Sequence, residues 1–467
     1  MAGSNLQESL NRTVKIALDT GEARSLEDAE KLFRGYRLYL HLGPEVSSSF
    51  VHQVVAATVV NTAKRCFLGG VYVGGSGLGS RNLLPWPKTT SLLQAISVLG
   101  GQPVEAGIGK SPTISIGSGL QPLSEDQFAV RPTFEGWSAG IAPIADRIVL
   151  PERNAFVPAG VLAGSIAVSE AFQYVRGGNA SAGKRRAGFS LWRPGADFMD
   201  LQASAGPQVK SLPAKLWIIG LGHLGQAVLW TLGLLPYERP GDATFYLQDY
   251  DIISQANVST SLLTEANAVG RMKTRAMAEW CENRGFGARL VERKFGDDLR
   301  VGGEDPRIGI CVVDNTIARA AVEDARFDRV LEAGLGGSSN EYLSFQMHGF
   351  PGSYSARAKW GGVAAADTKN QIDLLNPMRP NSSYRLLLES QQLDECGVTL
   401  LAGKAVGASF VGAATAAIIV AELFRFSITS DRFELIDGTL RSPSGVSAVH
   451  AVTLPPYSPA LTRLAGG

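Results

Sequence analysis

The sequence predicts an α/β fold made of two related halves, of which the second is a Rossmann-like unit with a parallel sheet. Residues 216–235 read LWIIGLGHLGQAVLWTLGLL, an apolar run that breaks into glycines and then continues at helical spacing. This order of strand, glycine turn and helix opens a dinucleotide-type fold. Strand and helix patterns alternate after it, as in βαβ units. A weaker echo of the same pattern earlier in the chain predicts a degenerate, pseudo-symmetric first domain.

The elements of the second half follow in chain order. A strand, ATFYLQDYD, starts at residue 243, and a polar loop then leads to a helix around Lys273 to Arg284. GICVVDN from residue 309 predicts the next strand, and YLSFQMHGFPGSYSARAKW from residue 342 alternates like exposed strands. The last segment, GASFVGAATAAIIVAELFRF, is small and apolar on most faces, so we expect a buried helix there.

The echo in the first half consists of two segments in the same order. FAVRPTFEGWSAGI from residue 128 resembles the late strand pair, and GVLAGSIAVSEAF from residue 160 lines up with GAATAAIIVAELF from residue 412. After these segments, residues 177–213 are rich in Gly, Ala, Ser and Pro without sustained periodicity, which predicts a joint between the two halves. We therefore place the two domains at residues 1–205 and 206–467.

Composition excludes several classes of protein. The 467 residues include 44 basic and 43 acidic side chains, so no broad charge favours nucleic acid or an anionic membrane as a partner. The four cysteines form no CxxC pair, which argues against a disulfide framework or a thiolate zinc site. We find no secretory signal and no window of about 18 apolar residues, so a soluble cytoplasmic protein is expected.

The glycine turn is the first candidate site. Gly220, Gly222 and Gly225 form GxGxxG between a predicted strand and a predicted helix, where backbone amides and a helix N-terminus bind phosphate. Asp249, about twenty residues further on, ends the next strand, where a carboxylate can accept hydrogen bonds from ribose hydroxyls. These two features alone also fit a nicotinamide oxidoreductase.

The polar residues that follow favour a triphosphate over a dinucleotide. Asp251, Asn257 and Lys273 have no natural place in a dehydrogenase, and Asp314 ends the strand GICVVDN. Transfer of an adenylyl group requires a cation that neutralises phosphate charge and a carboxylate that holds magnesium. We therefore expect ATP and Mg²⁺, with Lys273 as a catalytic residue and Asp314 as a catalytic, metal-binding one.

These motifs resemble the ThiF and ubiquitin-activating enzyme superfamily. Its adenylation domain carries GxGxxG, DxDxVxxSNLNRQ, VGxxK and TDNxxxR in series, and here they read GLGHLG, DYDIISQANVSTS, VGRMK and VDNTIAR. The resemblance implies that the three glycines hold the nucleotide, Asp249 the ribose and Asp314 the magnesium. It also implies that Asn257 and Lys273 contact the phosphates. The two-half architecture then corresponds to an inactive adenylation-like domain followed by an active ThiF-type domain.

One position departs from the superfamily pattern. Thr260 stands where the family has the arginine of NRQ, so a phosphate contact is lost. RGYRLYLHLG is similar to the arginine-bearing YSRQLYVLG opening from which superfamily members reach a partner's ATP site. Arg34 and Arg37 are therefore equal candidates for the substitute.

A cysteine follows in the segment that the family uses for thioester formation. ECGVTLLAGKAVGASFVGAATAAIIVAELFR resembles the crossover loop, whose cysteine precedes a glycine, a short loop and a buried helix. Cys396 therefore matches the thioester-forming residue and is a candidate catalytic residue. Cys281 and Cys311 lie in predicted regular structure, where burial explains them better.

The resemblance is nearest to the activating enzymes of bacterial ubiquitin-like conjugation operons, several of which are associated with phage defence. It implies a ubiquitin-like protein with a C-terminal glycine and a conjugating enzyme as partners, and a monomer with pseudo-dimeric halves or a homodimer. Three alternatives stay open: adenylation of a peptide or sulfur-carrier protein without conjugation, a non-catalytic scaffold with the same fold, and a nicotinamide oxidoreductase.

Overall fold

The computed structural model describes residues 10–105, 107, 109–120, 124, 127–154, 156–362, 383, 404–451 and 460–465. Cys396 lies outside the described residues. The strands of the first half are β1 Leu38–Leu42, β2 Val71–Gly74, β3 Gln102–Pro103, β4 Thr113–Ile116, β5 Ala129–Glu135, β6 Ser138–Pro143 and β7 Ala187–Ser190. The later strands are β8 Ser211–Pro213, β9 Lys215–Ile219, β10 Thr244–Gln248, β11 Gly287–Val291, β12 Ile308–Cys311, β13 Arg329–Leu335, β14 Ser344–Phe350, β15 Phe433–Thr439, β16 Ser447–His450 and β17 Leu461–Arg463.

Within the described ranges, ten α-helices have assigned bounds. They are α1 Lys15–Asp19, α2 Leu26–Arg34, α3 Phe50–Ala63, α4 Leu92–Val98, α5 Val157–Val175, α6 Leu201–Ser204, α7 His223–Gly233, α8 Lys273–Arg284, α9 Thr316–Ala320 and α10 Ser409–Ile428. Short 3₁₀ helices lie at Pro44–Ser47, Ser76–Gly79, Pro240–Asp242, Gln255–Ser259, Ala266–Ala268 and Pro443–Gly445.

The two halves have the same sheet topology. The first sheet runs β3-β2-β1-β4-β5-β6-β7 and the second β11-β10-β9-β12-β13-β14-β15-β16, so strands pair in the same relative order, with one extra strand in the second. In both sheets the first five strands are parallel and the rest antiparallel. The predicted Rossmann-like fold with a pseudo-symmetric first half is confirmed.

Four helices form the layer between the two sheets. α10 packs on α7 within its own half and on α3 and α5 of the first half, and α5 packs on α3. Gly160 and Gly164 allow this close contact, because a methyl group at either position would press on the α3 backbone or side chains. Burial of a large aliphatic or aromatic side chain contributes about 1.5–3 kcal/mol, so this layer holds the two halves together as one core.

The long helix α10 corrects one expectation from the sequence. It is long and apolar enough to cross a membrane by length and composition, although no such window was expected. However, 89% of its apolar window is buried inside the fold. Residues 409–426 are all buried, as the sequence pattern predicted, and they pack against both halves. The apolar composition is therefore that of a core helix.

Other elements follow the prediction with local differences. The helix Lys273–Arg284 is confirmed, and it ends at Gly285 in the left-handed region (φ 97°). The segment from residue 342 is less exposed than expected: β14 is mostly buried, and residues 356–362 are helical. The proposed joint contains β7, α6 and β8. β7 forms one edge of the first sheet, and β8 pairs with β17. The boundary between residues 205 and 206 remains a prediction.

Candidate nucleotide site

A cavity of about 440 Å³ opens at the carboxyl ends of β9, β10, β12 and β13. This edge is where open α/β sheets bind ligands. Most of the residues singled out from the sequence converge on it: Gly220, Gly222, Asp249, Asp251, Lys273 and Asp314. A larger cavity, of about 840 Å³, lies at the joint between the halves and is lined by none of them. The chemistry therefore selects the smaller cavity as the candidate site.

The three glycines of the turn have different physical roles. Gly220 has φ 94°, a region that L side chains rarely adopt. A methyl group at Gly225 would overlap the Gly220 carbonyl oxygen, so Gly225 allows α7 to pack against the strand end and does not line the cavity. Gly222 precedes α7 with open space where its side chain would be. A phosphate can approach the backbone at Gly222.

Asp249 is held rigidly at the end of β10. Its Oδ2 accepts a hydrogen bond from the Leu221 amide at 2.7 Å, and its Oδ1 accepts from the Tyr250 and Asp251 amides at 2.8 and 2.9 Å. The carboxylate thus links the strand end to the glycine turn. Each carboxylate oxygen has further lone pairs, so a ribose hydroxyl can still be accepted.

Lys273 begins α8 and its ammonium group points to the carboxylates. Nζ donates to Asp251 Oδ2 at 2.7 Å and lies 3.8 Å from Asp249 Oδ2. The lysine is buried, whereas 48% of the Asp251 side chain is exposed. The cavity therefore contains a cation whose present partner is accessible to solvent.

Asp314 follows β12 and is exposed on the cavity wall. Asn315 accepts a hydrogen bond from the Ala318 amide at 3.1 Å and thereby caps α9. Among the described residues, no hydrogen bond or ion pair engages the Asp314 carboxylate. No group of three His, Cys, Asp or Glu side chains that could hold a metal occurs in the same part of the chain. This donor set fits Mg²⁺, which is commonly held by one carboxylate, substrate phosphates and water.

Asn257 is turned to a structural task. Its Oδ1 accepts from the Ser254 amide at 2.8 Å and from Ser254 Oγ at 3.2 Å, which closes a capping box. Asn257 does not line the cavity. Thr260, at the end of the same 3₁₀ turn, is buried against Gly407.

The structure brings neither Arg34 nor Arg37 to the cavity. Both are exposed, and Arg34 pairs with Glu30 on its own helix. Arg293 and Arg319 line the cavity, and Arg12 lies next to it: its Nη1 donates to the carbonyl of the cavity-lining Ala405 at 2.9 Å. Burial lowers the pKa of Arg12, and the nearby Asp314 carboxylate opposes that shift. No family motif marks residues 10–14, so the sequence offered only an unassigned arginine near its start.

The first half also shapes the loop that carries Thr260. Arg65, at the end of α3, is buried and donates to the Val258, Leu262 and Thr264 carbonyls. Asn61, one turn earlier, donates to the Leu262 carbonyl at 3.1 Å. Burial lowers the pKa of Arg65 to about 10, which leaves it charged at neutral pH. The first half thus fixes the loop that carries Thr260.

His223 lies in the glycine turn and lines the cavity. Its ring packs against Gly412, where any side chain would collide with Nε2. Desolvation, with Arg65 nearby, lowers the pKa of His223 to about 4. The imidazole is therefore neutral at pH 7 and lies between the start of α7 and the start of α10.

The equivalent edge of the first sheet is closed by a carboxylate. Glu45 accepts from the Ser118 amide at 2.9 Å and from Ser118 Oγ at 2.6 Å. A methyl group at Gly117 would overlap a Glu45 carboxylate oxygen, and Gly43 is equally crowded by Ser118. A negative charge thus occupies the turn that corresponds to the glycine turn of the second half.

The cysteines that the structure describes are not candidates for the site. Cys66, Cys281 and Cys311 are all buried. Burial raises the pKa of each thiol, to about 12 for Cys281 and Cys311. The interpretation of Cys281 and Cys311 as buried structural residues is confirmed.

The fold is that of a pseudo-symmetric, Rossmann-like α/β protein, and the smaller cavity is its candidate nucleotide site. The family models of the BilD N-terminal and C-terminal domains match residues 37–191 and 212–429. A bacterial E1-like protein BilD from Collimonas sp. (strain OK412) is 39% identical over 458 residues, which covers 97% of this chain and 96% of the relative. The chain therefore belongs to the BilD family of bacterial E1-like proteins.

Two solved structures are more distant. PaaA is 14% identical, covers 52% of this chain and 73% of its own, and has a TM-score of 0.31. MccB of E. coli is 12% identical, covers 71% and 93%, and also has a TM-score of 0.31.

Proposed function

We propose that this chain is the activating enzyme of a bacterial ubiquitin-like conjugation system. It adenylates the C-terminal glycine of a ubiquitin-like protein with ATP, captures the acyl group on Cys396 and passes it to a conjugating enzyme. The observation that carries the proposal is the convergence of the glycine turn, Lys273 and Asp314 on one cavity of a BilD-family chain. The proposed setting is the cytoplasm, in an operon of the phage-defence type.

In the first step a carboxylate oxygen of the terminal glycine attacks the α-phosphorus of ATP. The bond from that phosphorus to the bridging oxygen breaks, and pyrophosphate leaves with the electron pair. Lys273 leaves Asp251 for the phosphates, and Arg12 supplies the positive charge that Thr260 cannot. Asp314 would hold the magnesium, which offsets phosphate charge when bound.

In the second step the thiolate of Cys396 attacks the acyl carbonyl carbon and AMP leaves, which forms a thioester. A conjugating enzyme's cysteine then exchanges with it. Support for this step is the sequence match around Cys396, because the residue lies outside the described part of the chain. The described residues after it, Ala405 and Val406, line the cavity.

The first half is proposed to be inactive. Glu45 places a negative charge where a phosphate would bind, and the carboxylate already accepts two hydrogen bonds from Ser118. Like charges disfavour a bound triphosphate there. The retained role of this half is the arginine contact from Arg65 and the helix layer, so one chain with pseudo-dimeric halves suffices for activity.

The test is ATP–pyrophosphate exchange with a small, glycine-ended protein encoded beside this chain. Exchange that depends on the carrier, together with a DTT-sensitive adduct lost in Cys396→Ser, supports the full proposal. Exchange without an adduct would support the alternative in which the enzyme adenylates a carrier protein but does not conjugate it. Absence of exchange and of ATP binding with Mg²⁺ would leave the scaffold alternative.

A further inference from the structure

An ion network forms part of the wall of the candidate site, because Arg319 lines the cavity while its partners Glu332 and His348 do not. Glu332 is fully buried on β13, and His348 is its cross-strand partner on β14. Glu332 Oε2 lies 2.9 Å from His348 Nδ1, and Glu332 Oε1 lies 3.1 Å from Arg319 Nε. The Trp360 ring stacks on the Arg319 guanidinium, with 4.7 Å between Arg319 Cζ and the ring centroid. The network thus joins three elements of the second half at the cavity wall.

Arg319 connects this network to the loop that carries Asp314. Its Nε donates to the Val313 carbonyl at 2.9 Å, and its Nη2 donates to the Ala333 carbonyl at 3.3 Å. Val313 and Ala333 both line the cavity, Val313 just after β12 and Ala333 on the neighbouring β13. One guanidinium therefore fixes the spacing of two cavity walls.

The packing around Arg319 leaves little room for another position. A methyl group at Gly334 would lie 2.5 Å from Nη2, so the glycine makes space for the guanidinium. The Arg319 side chain is only 14% exposed, and the Glu332 carboxylate compensates its charge. A buried charge of this kind is tolerated only with such a partner.

We infer that Glu332, oriented by His348, is a positioning residue that fixes Arg319 and so presets the Asp314 carboxylate for the magnesium of the nucleotide. Partners behind a metal ligand typically contribute about 10-fold to 100-fold in metal affinity or activity. This inference rests on the proposed role of Asp314. It assigns a task to a buried carboxylate that touches neither nucleotide nor metal.

The experiment is calorimetric titration of ATP into the full chain, once with Mg²⁺ and once with EDTA. Glu332→Gln keeps the shape and removes the charge. We expect it to weaken ATP binding with Mg²⁺ by about 10-fold, while binding in EDTA stays within about 2-fold of the wild type. Trp360→Leu, which removes the stacking partner without leaving a buried charge, should give a smaller loss of the same kind and decides the matter should Glu332→Gln fail to fold.

Glu422→Gln is the matched control. Glu422 is also buried and pairs with Arg425 at 2.9 Å, but it does not line the cavity. It should leave the effect of Mg²⁺ unchanged. An equal loss in EDTA, an equal loss in Glu422→Gln, or an unchanged Mg²⁺ effect in the folded test variants would overturn the inference. Failure of the wild type itself to bind ATP with Mg²⁺ would instead reject the proposed function.

Discussion

Lys273 Nζ lies 2.7 Å from Asp251 Oδ2 at the entrance of the candidate site. The pair is asymmetric, because the lysine is buried and the carboxylate is half exposed. A phosphate can therefore replace Asp251 as the partner of the lysine without uncovering another buried charge. In the proposed reaction Asp251 holds the ammonium group ready before ATP arrives.

Lys273→Ala should reduce carrier-dependent ATP–pyrophosphate exchange by roughly 100-fold, because a charge contact to the transition state is lost. Asp251→Asn removes only the resting partner, so its exchange rate should fall far less. The measurement is initial exchange rate at saturating ATP. Equal losses in both variants would contradict the distinction between a catalytic cation and its resting partner.

Arg12→Ala should lower exchange by about 10-fold or more, because Arg12 lies next to the cavity and close enough to Asp314 to interact with it electrostatically. Arg34→Ala and Arg37→Ala serve as controls, since both side chains are exposed away from the cavity. Their exchange rates should match the wild type. A lower exchange rate in either control, together with a normal rate in Arg12→Ala, would favour Arg34 or Arg37 as the substitute for the arginine missing at Thr260.

Substitutions at Gly222 and Gly225 should have separate effects, one on ATP binding and the other on the free energy of unfolding. Gly225→Ala collides with the Gly220 carbonyl, so we expect destabilisation by about 1–3 kcal/mol in urea unfolding. Gly222→Ala has room in the protein and should unfold like the wild type but bind ATP more weakly. Normal ATP affinity in Gly222→Ala would argue against phosphate contact at this turn.

Acid should destabilise the protein partly through His223. Its pKa is lowered to about 4, below the usual 6.5, so the unfolded chain binds a proton first as pH falls. The stabilising contribution is present above about pH 6.5 and is lost progressively towards pH 4. His223→Asn should therefore lose less Tm than the wild type between pH 7 and pH 5. Parallel Tm curves would contradict a buried neutral imidazole.

Calorimetry with Mg²⁺ and ATP should give one bound nucleotide per chain, because the glycine turn, lysine and aspartate of the second half have no described counterpart in the first half. The Glu45 carboxylate adds a negative charge at the equivalent turn but is not the main obstacle. Glu45→Gln keeps the shape and should therefore leave the stoichiometry unchanged. Two nucleotides per wild-type chain would show that the first half is active.

Sequence patterns predicted the architecture well because periodicity and glycine spacing report on local backbone. The strand, turn and helix around Gly220 and the helix from Lys273 are confirmed. The buried helix α10 was also predicted, but its length of apolar sequence was underestimated. A helix that contacts two halves needs no polar face, and only the tertiary arrangement reveals this.

The site was harder to predict where it depends on contacts between distant residues. Asp249, Lys273 and Asp314 stand at strand ends and a helix start, so topology alone brings them together. Arg12 lies next to the cavity from a segment without a motif, and this contact with Ala405 has no local signal in the sequence. Asn257 matches the family motif yet caps its own turn, and only the structure shows that its side chain pairs with Ser254 and does not line the cavity.

The layer of α3, α5, α7 and α10 gives the first half a structural role, although the Glu45 carboxylate occupies its turn equivalent to the glycine turn. In this layer α3 and α5 of the first half pack against α10 of the second half. Arg65 of the first half also donates a hydrogen bond to the Leu262 carbonyl of the second half. Removing residues 1–205 would take these neighbours away and expose the apolar surface of α10 to solvent. Substitutions should therefore be tolerated better around the exposed Glu45 than at the buried positions where α3 and α5 meet their neighbours.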